Sequence, residues 1–148
     1  MELAIRNNAA VQKSADWPLR AVGALVLAWS LYGAARLLYV QFGLFDTGMP
    51  ASAELARFAA LPQWASAFWT VSVWGLVAGS ALLMLRSKWA VQAFVFALIG
   101  IIGTSTQLFI IAEQPANIYA MPIALSMWVI TMAALLHASR VEASGMLR

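Results

Sequence analysis

The sequence has no cysteine, a single histidine and very few charged residues. Without cysteine the chain cannot form disulfides, thiolate metal sites or a cysteine nucleophile. One histidine leaves little scope for a metal site or a proton relay within one protomer. Charged residues make up 10% of the 148 residues and hydrophobic residues 63%, whereas a soluble domain has about 25% charged residues. The composition therefore indicates one membrane-embedded domain.

Four apolar stretches are long enough to cross a bilayer as helices. A hydrocarbon core of about 30 Å requires about 20 mostly apolar residues in helical conformation. The stretches that meet this requirement are 19–42, 64–85, 89–111 and 119–137, and the last three contain no Asp, Glu, Lys or Arg. Backbone groups left unpaired in lipid are costly, which favours helices. We therefore expect an all-α, polytopic four-transmembrane-helix bundle that occupies 1–148 as one domain.

The basic residues predict the orientation of this bundle. Seven of them fall on one side of the predicted spans: Arg6, Lys13, Arg20, Arg86, Lys88, Arg140 and Arg148. The other side has Arg57 alone, together with three acidic residues. Because Lys and Arg concentrate in cytoplasmic loops, both termini are predicted to be cytoplasmic (N-in/C-in). The net charge of +3 thus indicates topology, and we expect no nucleic-acid partner.

Two segments outside the spans have predictable conformations. The stretch AIRNNAAVQKSADWP has no periodic apolar face, and we expect a loose tail there. Residues 52–62 show apolar residues at helical spacing, with Ser52 as a possible N-cap and Pro62 at the end. This pattern predicts a short periplasmic interfacial helix between the first two spans. Such a helix would either seal the bundle or act as a lid over a site.

One charged residue, Arg36, lies inside the first span. It precedes the outer end of this span by six residues, or about 9 Å, so its side chain can reach the interface. Trp29, Tyr32 and Gly33 lie on the same helical face. At a similar depth the other spans offer Thr70 and the polar run that ends at Gln107, together with Ser126.

These residues leave two interpretations open. Arg36 either completes a structural polar clasp or lines a small periplasm-facing pocket for a polar or anionic ligand. The candidate ligand-binding residues are Arg36, Tyr32, Trp29, Thr70 and Gln107.

Tryptophan and glycine are the other unusual features of the spans. Trp29, Trp74 and Trp128 fall near mid-membrane, and we expect their rings to fill a groove along the small residues of the third span. Gly75 and Gly79 have the GxxxG spacing that permits close helix approach. That face would either close the bundle internally or mediate a homo-oligomer or a contact with a membrane partner.

Part of the sequence resembles a known group of proteins. The motif W-x4-W-G-x3-G-S, beginning at Trp69 and followed by LRSKWA, lies within residues 62–100, and WSLYGAARLL precedes it. This region resembles small uncharacterised four-helix bacterial inner-membrane proteins, some of which have a loose "sugar transporter-like" name. The resemblance implies the four-helix fold and the inner membrane, but no activity. In that group the position of Arg36 is often acidic, so the charge is reversed here.

These features yield three functional hypotheses. We find no paired intramembrane carboxylates, no Ser/His/Asp set and no phosphate loop, so we expect no enzyme, no metal and no cofactor. The leading hypothesis is a non-enzymatic accessory, assembly or stabilising subunit that works through membrane partners. The alternative is a small oligomeric transporter or ligand binder with a pocket around Arg36. The third is a quinone- or pigment-associated subunit.

Overall fold

A computed structural model describes residues 2–43, 58–111 and 121–145, and every regular element in these ranges is helical. The elements are α1 (Glu2–Phe42), α2 (Gln63–Met84), α3 (Trp89–Thr106) and α4 (Met121–Ala143), and a π-helical turn (Gln107–Ile111) extends α3. The segments long and apolar enough to cross a membrane are Arg20–Phe42, Gln63–Met84, Trp89–Ile111 and Ala124–Ala143. The prediction of an all-helical chain with four candidate membrane-spanning helices is confirmed.

The predicted loose tail before the first span is wrong. α1 is continuous over 41 residues from Glu2 to Phe42 and includes that stretch. More than half of residues 2–16 are Ala, Leu, Glu, Gln, Lys or Arg, which are strong helix formers. Residues with high helix propensity can form a helix that has no apolar face. The lack of apolar periodicity was therefore a poor indicator of the conformation of this segment.

The predicted interfacial helix lies mostly outside the described residues. Within 52–62 the description begins at Phe58, where Phe58 and Ala59 are helical. Residues 112–120, between α3 and α4, are likewise outside the described residues.

The helices pack unequally around the bundle. α2 and α3 form the most extensive contact, α1 packs against α2, and α4 packs mainly against α3. A tight turn at Leu85–Lys88 joins α2 to α3, and Arg86 in this turn has a φ of 60°. We call this end of the bundle the turn end and the opposite one the loop end. α1 and α4 touch little.

Small residues bring α2 and α3 close together. A Cβ added at Gly75 would lie 2.9 Å from the backbone nitrogen of Ala97, and one added at Gly100 would lie 2.5 Å from that of Ser72. A Cβ added at Gly79 would lie 2.8 Å from the ring of Phe94. The GxxxG face of α2 is thus occupied by α3 of the same chain. Such close backbone approach maximises van der Waals contact where lipid offers little hydrophobic driving force.

The tryptophan rings do not fill the small-residue face of α3 as predicted. Phe68 of α2 does so, with its ring directly against the Cβ position of Gly103. Trp74 points away from the bundle and is 46% exposed. Trp128 donates its indole N–H to the hydroxyl of Ser105 at 3.1 Å, which satisfies a polar group that would otherwise be unpaired in lipid.

The buried hydroxyl groups bond to their own helices. Ser72 donates to the carbonyl of Trp69, Ser80 to that of Leu76, Thr104 to that of Gly100 and Thr131 to that of Met127, with distances of 2.7–2.9 Å. Because each donor is satisfied one turn back along its helix, these residues enter an apolar interior without an unpaired hydroxyl. They are therefore structural parts of the core.

The contact between α2 and α3 predicts opposite effects for two glycine substitutions. We expect Gly100→Ala to lower the free energy of unfolding by about 1–3 kcal/mol, because the added methyl group overlaps the backbone of α2. Gly33→Ala is the matched control: its Cβ would meet nothing within 4 Å, and alanine favours helix by up to about 1 kcal/mol. Reversible unfolding in micelles checks both. Equal effects would contradict the close approach.

Candidate functional site

The weak contact between α1 and α4 leaves a seam along the bundle. In the part of the chain that the structure describes, two cavities open along it, and Trp29 borders both. On α1 they extend from Val22 to Arg36, which corresponds to about 21 Å along the helix. The seam therefore covers most of a hydrocarbon core of about 30 Å. We call the two spaces the loop-end cavity and the turn-end cavity.

The loop-end cavity has a volume of about 380 Å³ and contains most of the candidate site on α1. Trp29, Tyr32 and Arg36 line it together with Gly33. These four residues share one helical face at spacings of three and four residues. Thr70 and Gln107 do not line this cavity.

Arg36 and the two aromatic residues form a short stack along α1. The Arg36 guanidinium carbon lies 5.8 Å from the centre of the Tyr32 ring, within the range of a cation–π interaction. The rings of Tyr32 and Trp29 are 6.3 Å apart and inclined by 43°. The charge is thus held at the rim of an aromatic surface. Toward the turn end, Leu25 and Val26 continue this side of α1 with apolar side chains.

The other walls of the loop-end cavity come from residues that sequence reasoning did not assign to the site. Phe58 and Trp69 stack with ring centres 4.5 Å apart, and Val73 of α2 and Met127 of α4 complete the lining. The apolar spacing of 52–62 marked Phe58 as helical, but nothing in the sequence shows that this ring meets Trp69. Among the described lining residues, Arg36 is the only charged one.

Thr70 belongs to a different polar contact between α1 and α2. Gln41 donates its side-chain amide to the hydroxyls of Ser66 at 2.8 Å and Thr70 at 3.1 Å. The Thr70 hydroxyl donates in turn to the Ser66 carbonyl at 2.9 Å. Nothing in the sequence distinguishes Gln41 as a site residue, because polar residues are common at helix ends. This contact fixes α1 to α2 near the loop end.

Gln107 lies at the first position of the π-helical turn that ends α3. Its side-chain oxygen is buried and has no hydrogen-bond partner among the described residues. π-helical turns inside or at the ends of helices are often found at functional sites. Gln107 is therefore a buried polar group near the loop end, separate from the cavity around Arg36.

This arrangement offers both a charged and an apolar surface to a bound molecule. A guanidinium offers several N–H donors in a fixed fork, Tyr32 adds a hydroxyl, and the aromatic walls accept apolar atoms. A ligand with an anionic or polar group and an apolar part would satisfy both surfaces. Pockets with mainly apolar walls and a few convergent polar groups are the usual form of a ligand site.

The charge of Arg36 predicts a sign preference for reagents entering the loop-end cavity. The chain has no native cysteine, and Gly33→Cys places a thiol in this cavity without a steric conflict. We expect an anionic thiosulfonate to react about fivefold faster than a cationic one, as about 1 kcal/mol of attraction implies. The reaction rates of purified protein in micelles measure this ratio.

Two further variants control that experiment. Adding Arg36→Leu should abolish the preference, because it removes the charge while leaving the thiol in place. Leu31→Cys, on the exposed face of α1, should react slowly with both reagents. A ratio that does not depend on Arg36 would contradict an electrostatic role for this residue.

Comparison with known proteins does not indicate a function for this chain. No protein-family model, curated protein or solved structure matches the chain. What the site can bind is therefore argued from its own residues: Arg36, Tyr32 and Trp29 on one face of α1, with Phe58 and Trp69 opposite.

Proposed function

We propose that this chain is a non-enzymatic, multi-pass protein of the bacterial inner membrane that binds a polar or anionic ligand at its loop-end cavity. The observation that supports this function is the convergence of Arg36, Tyr32 and Trp29 on one cavity of about 380 Å³. The ligand's charged group would lie at the Arg36 guanidinium, and its apolar part would lie between Trp29 and Trp69.

The location and orientation are part of the same proposal. Four helices are long and apolar enough to cross a membrane. The excess of Lys and Arg at the turn end favours a cytoplasmic position for that end and for both termini. The resemblance to small four-helix inner-membrane proteins is consistent with this location. With this orientation the loop-end cavity faces the periplasm, so a ligand would enter from that side.

The proposed site predicts that Arg36→Leu abolishes ligand binding and preserves the fold. Native mass spectrometry of protein released from its own membrane should find a bound small molecule on the wild-type chain. Arg36→Leu should lose it, whereas Arg20→Leu, the same substitution on the same helix but at the exposed turn end, should retain it. A charge-assisted hydrogen bond of about 1.5–3 kcal/mol implies at least a tenfold loss.

The amount of folded protein distinguishes a ligand-binding role of Arg36 from a structural role. If Arg36→Leu reduces the folded yield, Arg36 belongs to a structural clasp and not to a ligand site. If the wild-type chain has no bound molecule, or if both arginine variants retain it equally, the proposed site is incorrect.

A second candidate function is that of an accessory subunit held by membrane partners. The observation that favours it is an apolar stripe on α4 formed by Leu125, Val129, Met132 and Leu136, each of which is at least 39% exposed. Their spacing of four, three and four residues is that of a helix-packing seam. A transmembrane helix of a partner subunit would pack along this stripe.

The second candidate predicts a native mass larger than that of the chain or its dimer. Gently solubilised protein from its own membrane should migrate with other chains, which mass spectrometry then identifies. Val129→Lys, which places a charge in the stripe, should release the chain from these partners, whereas Leu31→Lys on α1 should not. Migration at the mass of a protomer or a simple dimer would contradict this function.

A further inference from the structure

We propose that the turn-end cavity binds one anionic phospholipid, with an acyl chain along the seam and the phosphate at Arg140. This site is distinct from the loop-end cavity and does not depend on the ligand proposed there. The cavity has a volume of about 670 Å³ and lies between α1 and α4.

The cavity has an apolar interior and a polar mouth. Val22, Leu25 and Val26 of α1 form one wall, and Ile130 and Ala133 of α4 form part of the other. At the turn end the lining changes to His137 and Arg140. Apolar walls that end in basic residues match the two parts of a phospholipid, its acyl chain and its phosphate.

The length of the cavity corresponds to one leaflet of a membrane. Along α4 it extends from Ile130 to Arg140, or about 15 Å, which is half of a hydrocarbon core of about 30 Å. Trp29 marks its deep end on α1. A transmembrane helix of a partner would need a groove through both leaflets, and the loop-end half of the seam has a different, aromatic and charged lining.

The charges at the mouth favour an anionic headgroup. Arg140 is exposed at the end of α4, and Arg20, also exposed, lies two residues before Val22 on α1. Arg86 and Lys88 of the turn add to the positive charge of this end, and Glu142 is the only acidic residue among the side chains that the structure describes. Basic pockets between transmembrane helices are a known form of anionic lipid site.

His137 provides a second, independent observation. Its Nε2 atom is buried and has no hydrogen-bond partner among the described residues, although the residue lines the cavity. Leaving such an atom unpaired is unfavourable. His137 lies three residues before Arg140 on α4, or about 4.5 Å deeper along the helix. This is the level at which the glycerol and ester oxygens of a lipid follow its phosphate, so a bound lipid would bring polar atoms beside the His137 side chain.

The test compares two lipids with identical acyl chains. Delipidated wild-type protein in micelles is incubated with dioleoyl phosphatidylglycerol or dioleoyl phosphatidylcholine, and the retained lipid is measured by native mass spectrometry. We expect at least fivefold more retention of phosphatidylglycerol, since about 1 kcal/mol per basic residue is typical of anionic headgroups. Equal retention of the two lipids would overturn the proposal.

Three variants locate the lipid. Arg140→Gln should lower retention of phosphatidylglycerol about fivefold, whereas Lys88→Gln, which removes an exposed charge at the same end outside the cavity, should leave it unchanged. Ala133→Phe fills the apolar part and should prevent retention. Equal losses from Arg140→Gln and Lys88→Gln would reveal only general surface attraction, which overturns the site. If Ala133→Phe fails to fold, the comparison of Arg140→Gln with Lys88→Gln still tests the proposed site.

Discussion

The backbone contact between α2 and α3 is the interaction on which the rest of this bundle depends. Gly75 meets Ala97, and Gly100 meets Ser72, at distances that leave no room for another methyl group. In lipid, where apolar side chains gain little from leaving their surroundings, such close contact is the main source of helix association. α1 then packs on α2 and α4 on α3, so the first and last helices face each other without a comparable contact.

The seam that results has a different chemistry in each half. Arg36 over Tyr32 gives the loop-end half a charged rim on an aromatic surface. The turn-end half is aliphatic and ends in His137 and Arg140. Trp29 borders both cavities at mid-depth. The weak contact between these two helices thus leaves two candidate binding spaces, one toward each end of the bundle.

Some polar groups inside the bundle have hydrogen-bond partners among the described residues, and others do not. The buried hydroxyls bond to carbonyls of their own helices, and Trp128 finds Ser105. Gln107 and His137 each retain one buried atom without a partner among the described residues. Because unpaired polar atoms are costly in an apolar interior, these two side chains are informative: one lies in a π-helical turn and the other in a cavity.

Composition and hydropathy alone determined the all-helical class and the four candidate spans, because crossing a hydrocarbon layer imposes length and polarity on every helix. The helical period alone placed Trp29, Tyr32, Gly33 and Arg36 on one face of α1. The tertiary structure decided which helices touch. The helical period determines on which face of a helix a residue lies. The register between two packed helices determines which residue of the other helix it contacts. For that reason Phe68 rather than a tryptophan packs on Gly103, Thr70 bonds to Gln41 rather than lining the cavity of Arg36, and the GxxxG face of α2 is occupied by α3.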